Sequence, residues 1–251
     1  MINRDELANF LAQTLNISSV RDYCPNGLQV EGRGVIQTLA SGVTASLALI
    51  EAAVEAKADA LLVHHGFFWR GENPCLVGPK HKRIKRLLQN DISLFAYHLP
   101  LDLHPALGNN AQLALRLDLL PESRFGEDDL GWLGSVNNAS LRTVGDLAGL
   151  IADRLGREPL LIGDPGQPLG RVGWCTGAAQ NLLQDAVAAG ATVYLSGEIS
   201  EQTVHLALET GTAYLACGHH ATERFGVHAL GEHIAAQFGI EHRFIDISNP
   251  V

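Results

Sequence analysis

The chain is poor in cysteine: four among 251 residues, Cys24, Cys75, Cys175 and Cys217, with no C-x-x-C pair. That excludes a disulfide framework and a cysteine zinc site, and suits a reducing cytoplasm, the expected location. Cys175 and Cys217 lie in apolar runs and are expected to be buried as small hydrophobes. Basic residues are in deficit, 18 Lys and Arg against 27 Asp and Glu, a formal net charge of -9. This argues against a generally basic nucleic-acid surface, the one local exception being the segment from Lys80 to Arg86. No apolar run reaches the ~18 residues of a membrane helix, so no membrane association is expected. The first residues, Met1 to Leu15, are charged and amphipathic and lack the apolar core of a signal peptide. Also absent are a G-x-S-x-G elbow, a G-x-x-x-x-G-K-[ST] loop and a G-x-G-x-x-G motif. Serine-hydrolase, P-loop ATPase and Rossmann dehydrogenase readings therefore have no support.

What the chain does have is an apolar run, Ala60-Leu61-Leu62-Val63, that ends in His64-His65-Gly66. Short apolar runs alternate with amphipathic stretches along the sequence. Helices are predicted over Arg4–Leu15, Leu47–Ala56, His81–Gln89, Asn109–Leu117, Thr143–Leu155, Asn181–Ala188 and Thr203–Glu209, with a terminal helix carrying Val227, Leu230, Ile234 and Phe238. Strands are predicted over Leu28–Val30, Thr38–Val43, Ala60–Val63, Leu94–Tyr97, Leu160–Ile162, Val172–Cys175, Thr192–Leu195, Ala213–Cys217 and Arg243–Ile247. The basic residues Lys82, Arg83, Lys85 and Arg86 read as a solvated helix face. The loop-rich, acidic segment Pro121 to Ser140 is the expected boundary between an N-terminal α/β domain, 1–125, and a C-terminal one, 126–251. The span from Val43 to Ala60 equals that from Thr176 to Val193, and each holds strand, turn, helix and strand. The fold class expected is thus α/β, two related domains with mixed sheets flanked by helices.

In such sheets ligands bind outside the carboxyl ends of the strands. Three predicted strand ends carry metal-type side chains: His64 and His65, the stretch His98 to Asp102, and His219-His220. Imidazoles and carboxylates suit divalent iron, zinc, manganese or magnesium. His64 and His65 would face opposite sides of an ideal strand, so a shared site requires the turn into Gly66 to rotate them together. Glu223 follows His219 by four residues, one face of a helix if a helix has begun there. Asp102 reads either as a ligand or as a helix cap. His98 is a candidate partner that orients ligands; His104 could do the same, but before Pro105 it reads rather as loop surface. His220 is assigned a structural role, and His81, His205, His228, His233 and His242 are expected at the surface or on helix faces. Phe67, Phe68 and Trp69 read as core or interface residues.

The segments Pro25-Asn26-Gly27-Leu28-Gln29-Val30-Glu31-Gly32, Val63-His64-His65-Gly66-Phe67-Phe68-Trp69, His98-Leu99-Pro100-Leu101-Asp102, Gly108-Asn109-Asn110 and Gly218-His219-His220-Ala221-Thr222-Glu223-Arg224 carry a resemblance. Together they resemble the Nif-three-like dinuclear-metal proteins, also called GTP cyclohydrolase I type 2 homologues, in their YbgI-like branch. The resemblance implies two α/β domains with the metal site in the cleft between them. It implies two divalent ions per subunit, His65 and Asp102 serving one, His64 and His219 the other, and Glu223 bridging. It also implies a ring-shaped homohexamer, and a first domain that recruits the C-terminal helix and strand.

The function expected is that of a metal-dependent hydrolase acting on a nucleotide or related small molecule, with His98 as proton shuttle. The alternative is a metal-binding ring-shaped scaffold or regulator acting through partners such as nucleic acid. Redox chemistry at a di-iron pair is compatible with the same ligands.

Overall fold

The computed structural model describes residues 1–251. In chain order the elements are β1 (Ile2–Asn3), α1 (Arg4–Thr14), β2 (Gly27–Val30), β3 (Val35–Ile36), β4 (Thr38–Thr44), α2 (Leu47–Glu55), β5 (Ala60–His65), α3 (Gly78–Gln89), β6 (Ser93–Ala96) and α4 (Leu99–Leu103). There follow α5 (Asn109–Arg116), β7 (Leu119–Phe125), β8 (Gly131–Val136), α6 (Val144–Leu155), β9 (Leu160–Ile162), β10 (Val172–Trp174), α7 (Leu183–Ala188) and β11 (Val193–Ser196). The chain closes with α8 (Glu201–Thr210), β12 (Ala213–Ala216), α9 (His219–Phe238) and β13 (Glu241–Phe244). No helix is long and apolar enough to cross a membrane.

Two compact units form. The first is Met1–Gly108 with Arg224–Ser248, the second Asn109–Glu223 with Asn249–Val251. The sequence-based boundary at 125/126 falls instead at the end of β7, a strand paired with β8.

The first unit is built on a sheet of order β13-β4-β5-β6-β2. Its strands run parallel except β2, which lies antiparallel on β6. The two-residue period of a strand divides its side chains between two cores. Leu39, Val43, Leu62 and Phe95 face Leu7 and Leu11 of α1 and Val227, Leu230 and Ile234 of α9. Ala40, Leu61, Val63 and Leu94 face Leu49, Ile50 and Ala53 of α2 and Ile84 and Leu87 of α3. Sealing each large aliphatic side chain this way is worth about 1.5–3 kcal/mol, which holds the helices on the sheet. Local chemistry sets their starts. The Asn3 side chain accepts from the Asp5 amide at 2.8 Å and caps α1, and Ser46 caps α2 through the Leu49 amide at 3.2 Å. On α3, Lys82 and Lys85 are exposed, the solvated face expected of a basic amphipathic helix.

The second unit has a sheet of order β7-β8-β10-β11-β12-β9. Strands β10, β11 and β12 are parallel, and the other three are antiparallel additions. Leu183 and Ala186 of α7 and Ala207 of α8 pack on Tyr194 and Tyr214. Helix α6 opens with a capping box between Thr143 and Asp146 and closes on Gly156 at φ 72. Strand, helix and parallel strand thus recur in both units at the spans matched in the sequence.

The segment 121–140, expected to be loop, instead holds most of the hairpin β7–β8. Residues 120–124 of β7 are exposed at every position, so no alternation marks the strand. Pro121 also sits at a register shift. Only pairing with β8 makes this edge a strand.

Candidate metal centre

Strand β5 runs through the histidines, and His65 pairs with Thr44 in register. His64, on the α1/α9 side of the sheet, is fully buried. Its Nδ1 lies 2.9 Å from the Tyr97 carbonyl oxygen. A carbonyl can only accept, so Nδ1 carries the proton and Nε2 presents a lone pair. His65 Nδ1 lies 3.1 Å from Thr44 Oγ1. Although their Cβ atoms leave opposite faces, the two rings approach to 4.6 Å between centroids at 44°. Both residues stand at the carboxyl end of β5.

Asp102 is neither a loop residue nor a cap. It sits inside α4, its residue 6% exposed, with Oδ2 3.6 Å from His64 Nε2. Proline in the first turn of α4 starts that helix immediately after β6. His98 takes the N-cap position of α4. One ring nitrogen from each of His64, His65 and His98 lies within 4.8 Å of the other two, a group that could hold a metal ion.

Asp22, in the loop before β2 and unmarked by any motif in the sequence, also belongs to this site. Its Oδ1 is 3.0 Å from His98 Nδ1 and accepts the Tyr23 amide at 2.7 Å. Its Oδ2 accepts Asn26 Nδ2 at 2.9 Å and the Leu99 amide at 2.9 Å. Asn26 Oδ1 in turn accepts the His98 amide at 2.8 Å. Burial opposes the charge on Asp22, but the hydrogen bonds from His98 and Asn26 outweigh it and hold the carboxyl well below its usual range. Burial, with the charge of Asp22 beside it, pushes the Cys24 thiol up to about 12, so it stays protonated at neutral pH and makes a poor ligand. The edges of Tyr23 and Trp69 meet the His98 ring at 5.0 Å. Trp69 therefore belongs to the surroundings of the site, whereas Phe67 is core.

In the second unit, α9 begins at His219, and its first turn brings His219 Nε2 to 3.1 Å from Glu223 Oε2. His219 Nδ1 lies 2.7 Å from Glu198 Oε1, just past β11. Burial opposes charge on His219, but Glu223 and Glu198 outweigh it and raise its pKa to about 9. Gly177, following β10 at φ +69, leaves the space these groups use. A Cβ there would stand 2.1 Å from Glu223 Oε1 and 3.3 Å from His219 Nε2.

His220 lies outside this set, its amide bonded to the Val251 oxygen at 3.0 Å. His104 does not orient a ligand, since its Nδ1 accepts the Leu107 amide at 2.9 Å and shapes a turn. His242, expected at the surface, has a side chain only 2% exposed, between Ser41 Oγ and Glu232 Oε1 at 2.7 Å each. Gly231 makes its burial possible, because a Cβ there would meet His242 Nε2 at 2.1 Å.

The donors suit a divalent cation. His64 offers a lone pair on Nε2, His65 and His219 are each tied through Nδ1, and Asp102 and Glu223 are buried carboxylates beside them. Paired α/β units that deliver imidazoles and carboxylates to strand ends define a class of candidate metal-binding protein. The chain belongs to the family described as Duf34/NIF3 (NGG1p interacting factor 3), whose model matches residues 2–250. It is 56% identical over 239 residues to a "GTP cyclohydrolase 1 type 2 homolog" of Pseudomonas aeruginosa, covering 94% of each chain. It is 51% identical over 250 residues to a protein of the same description from Neisseria meningitidis serogroup A, covering 100% of both. Among solved structures it resembles the protein ybgI, described as of unknown function, with TM-score 0.94, 44% identity and 100% coverage of both chains.

Proposed function

We propose that the chain is a metal-dependent hydrolase acting on a nucleotide or related small molecule, with two divalent ions held by His64, His65, Asp102, His219 and Glu223. One observation carries this reading: His64 and His219 are each held through Nδ1 and turn Nε2 toward a buried carboxylate, Asp102 Oδ2 at 3.6 Å and Glu223 Oε2 at 3.1 Å, donor pairs suited to a shared cation. The description shared by its relatives, GTP cyclohydrolase 1 type 2 homolog, favours hydrolysis and a nucleotide-like substrate. In the arrangement proposed, His65 and Asp102 serve one ion, His64 and His219 the other, and Glu223 bridges. Ions held there supply Lewis acidity, which makes water nucleophilic near neutral pH. The protein's own contribution is to fix the imidazoles through Thr44, Tyr97 and Glu198 and to keep the carboxylates dry. His98 is the proton carrier.

Elemental analysis of the purified protein tests the reading, followed by a nucleotide and nucleoside screen on metal-depleted and reconstituted samples. Turnover is expected only after reconstitution, and Glu223→Gln is expected to lose metal. A folded E223Q protein with full metal content, or turnover that survives metal removal, refutes the proposal.

A further inference from the structure

We infer that Asp22 is a positioning residue that holds the proton of His98 on Nδ1, so that Nε2 presents a lone pair beside His64 and His65. The role in turnover rests on the hydrolase reading above; the tautomer does not.

An ionised carboxylate offers about four lone-pair sites and no donor. All four are used on Asp22: Oδ1 takes the His98 ring and the Tyr23 amide, and Oδ2 takes the Asn26 side chain and the Leu99 amide. Asp22 therefore has no lone pair left for a metal ion, although it lies with Cys24 and His98 in a group of metal-type side chains. Its strongly depressed pKa agrees with a carboxylate that stays ionised in the burial it occupies. Because Asp22 can only accept, His98 Nδ1 must be the donor in their 3.0 Å contact.

The rest of the ring is also fixed. The His98 amide is held by Asn26, and the edges of Tyr23 and Trp69 meet the ring at 5.0 Å. The His64 ring lies 5.0 Å away and that of His65 5.8 Å away. Antiparallel pairing of β2 on β6 places the preceding loop, with Asp22 and Asn26, over the end of β6 from which His98 emerges.

In a hydrolysis, His98 Nε2 accepts a proton of water as the water oxygen bonds to the electrophilic atom. The same proton passes to the leaving group as its bond breaks, which restores neutral His98. A carboxylate on Nδ1 also stabilises the imidazolium between these two steps.

The test reads the tautomer directly, from the ring nitrogen-15 signals of His98 near neutral pH in metal-depleted and zinc-loaded protein. Wild type is expected to show a protonated Nδ1 and an unprotonated Nε2. Asp22→Ala is expected to shift the ring toward the Nε2–H form at unchanged metal content. With a substrate found, kcat should fall roughly 10- to 100-fold with KM unchanged, and D22A combined with His98→Ala should be no slower than H98A alone. An Nε2–H tautomer in wild type, or D22A signals identical to wild type, overturns the inference. If D22A fails to fold, the wild-type tautomer alone decides. Failure of the hydrolase reading looks different: no turnover by wild type in any metal state, whatever the tautomer.

Discussion

Replacing Gly177 by alanine should damage metal binding far more than stability. The new Cβ would lie 2.1 Å from Glu223 Oε1, whereas ordinary contact begins near 3.4 Å. The carboxylate oxygen must therefore retreat by about 1 Å. Glu223 can do so, because the atom that is struck is the far end of a flexible side chain. The movement costs its 3.1 Å contact with His219 Nε2. The backbone adds its own strain: an alanine at φ +69 is disfavoured by about 1–2 kcal/mol. Gly211 supplies the control, since it has the same φ of +69 and nothing within 4 Å of its would-be Cβ. Both G177A and G211A should lower Tm by a similar amount, roughly 2–8 °C. Only G177A should weaken metal binding, by roughly 10- to 100-fold. Isothermal titration with zinc, beside thermal melts of the metal-depleted proteins, measures both quantities. If G177A binds metal as tightly as G211A, Glu223 is not a ligand and the assignment of the second unit's donors fails.

Removing His64 or His65 singly should empty one ion position before the other, seen as a stepwise loss of metal in elemental analysis against increasing chelator. Metal uptake near neutral pH should release a proton from His219, because its metal-free pKa is raised to about 9. A pH-indicator titration in weak buffer detects this release. By the same shift, the His219 pairing stabilises metal-free protein fully below the ordinary histidine value of 6.5 and is lost as pH rises through about 9. Melts of wild type and His219→Gln should therefore converge at the alkaline end. His242 has the opposite sign: burial lowers its pKa from 6.5, so its stabilisation is present above that value and lost on acidification. His242→Gln should flatten the acid limb of the stability profile, and an unchanged limb would remove His242 as its cause.

How much of this was legible in the sequence depended on whether a residue's surroundings were local. The run Ala60 to Val63 and the histidines behind it announced a buried strand and its rim. Thr143 marked the start of α6 because an N-cap acts within its own helix's first turn. The pairing of His219 with Glu223 followed from helical spacing once the helix began at His219. Asp22 carried no such mark. It sits in an irregular loop, and its partners 76 and 77 residues later reach it only through the pairing of β2 with β6. His242 looked like one more polar residue in Glu241-His242-Arg243, and Gly231 on α9 decides its burial. Strand β7 was illegible for another reason: an exposed edge strand has no buried face to impose an alternation.

The first unit is discontinuous in sequence, closing only with residues 224–248. On the ribosome this fixes an order of events. Strand β4 emerges early, but β13, its outer neighbour, is made only after every strand of the second unit. Until then β4 is an open edge, and the face of the sheet that α9 will cover is exposed. Most of the second unit can fold in that interval, since all its strands have already been made. The nascent chain thus passes through a stage with one unit nearly complete and the other carrying an unpaired edge. That is the stage at which such a chain is most open to mispairing with a neighbour.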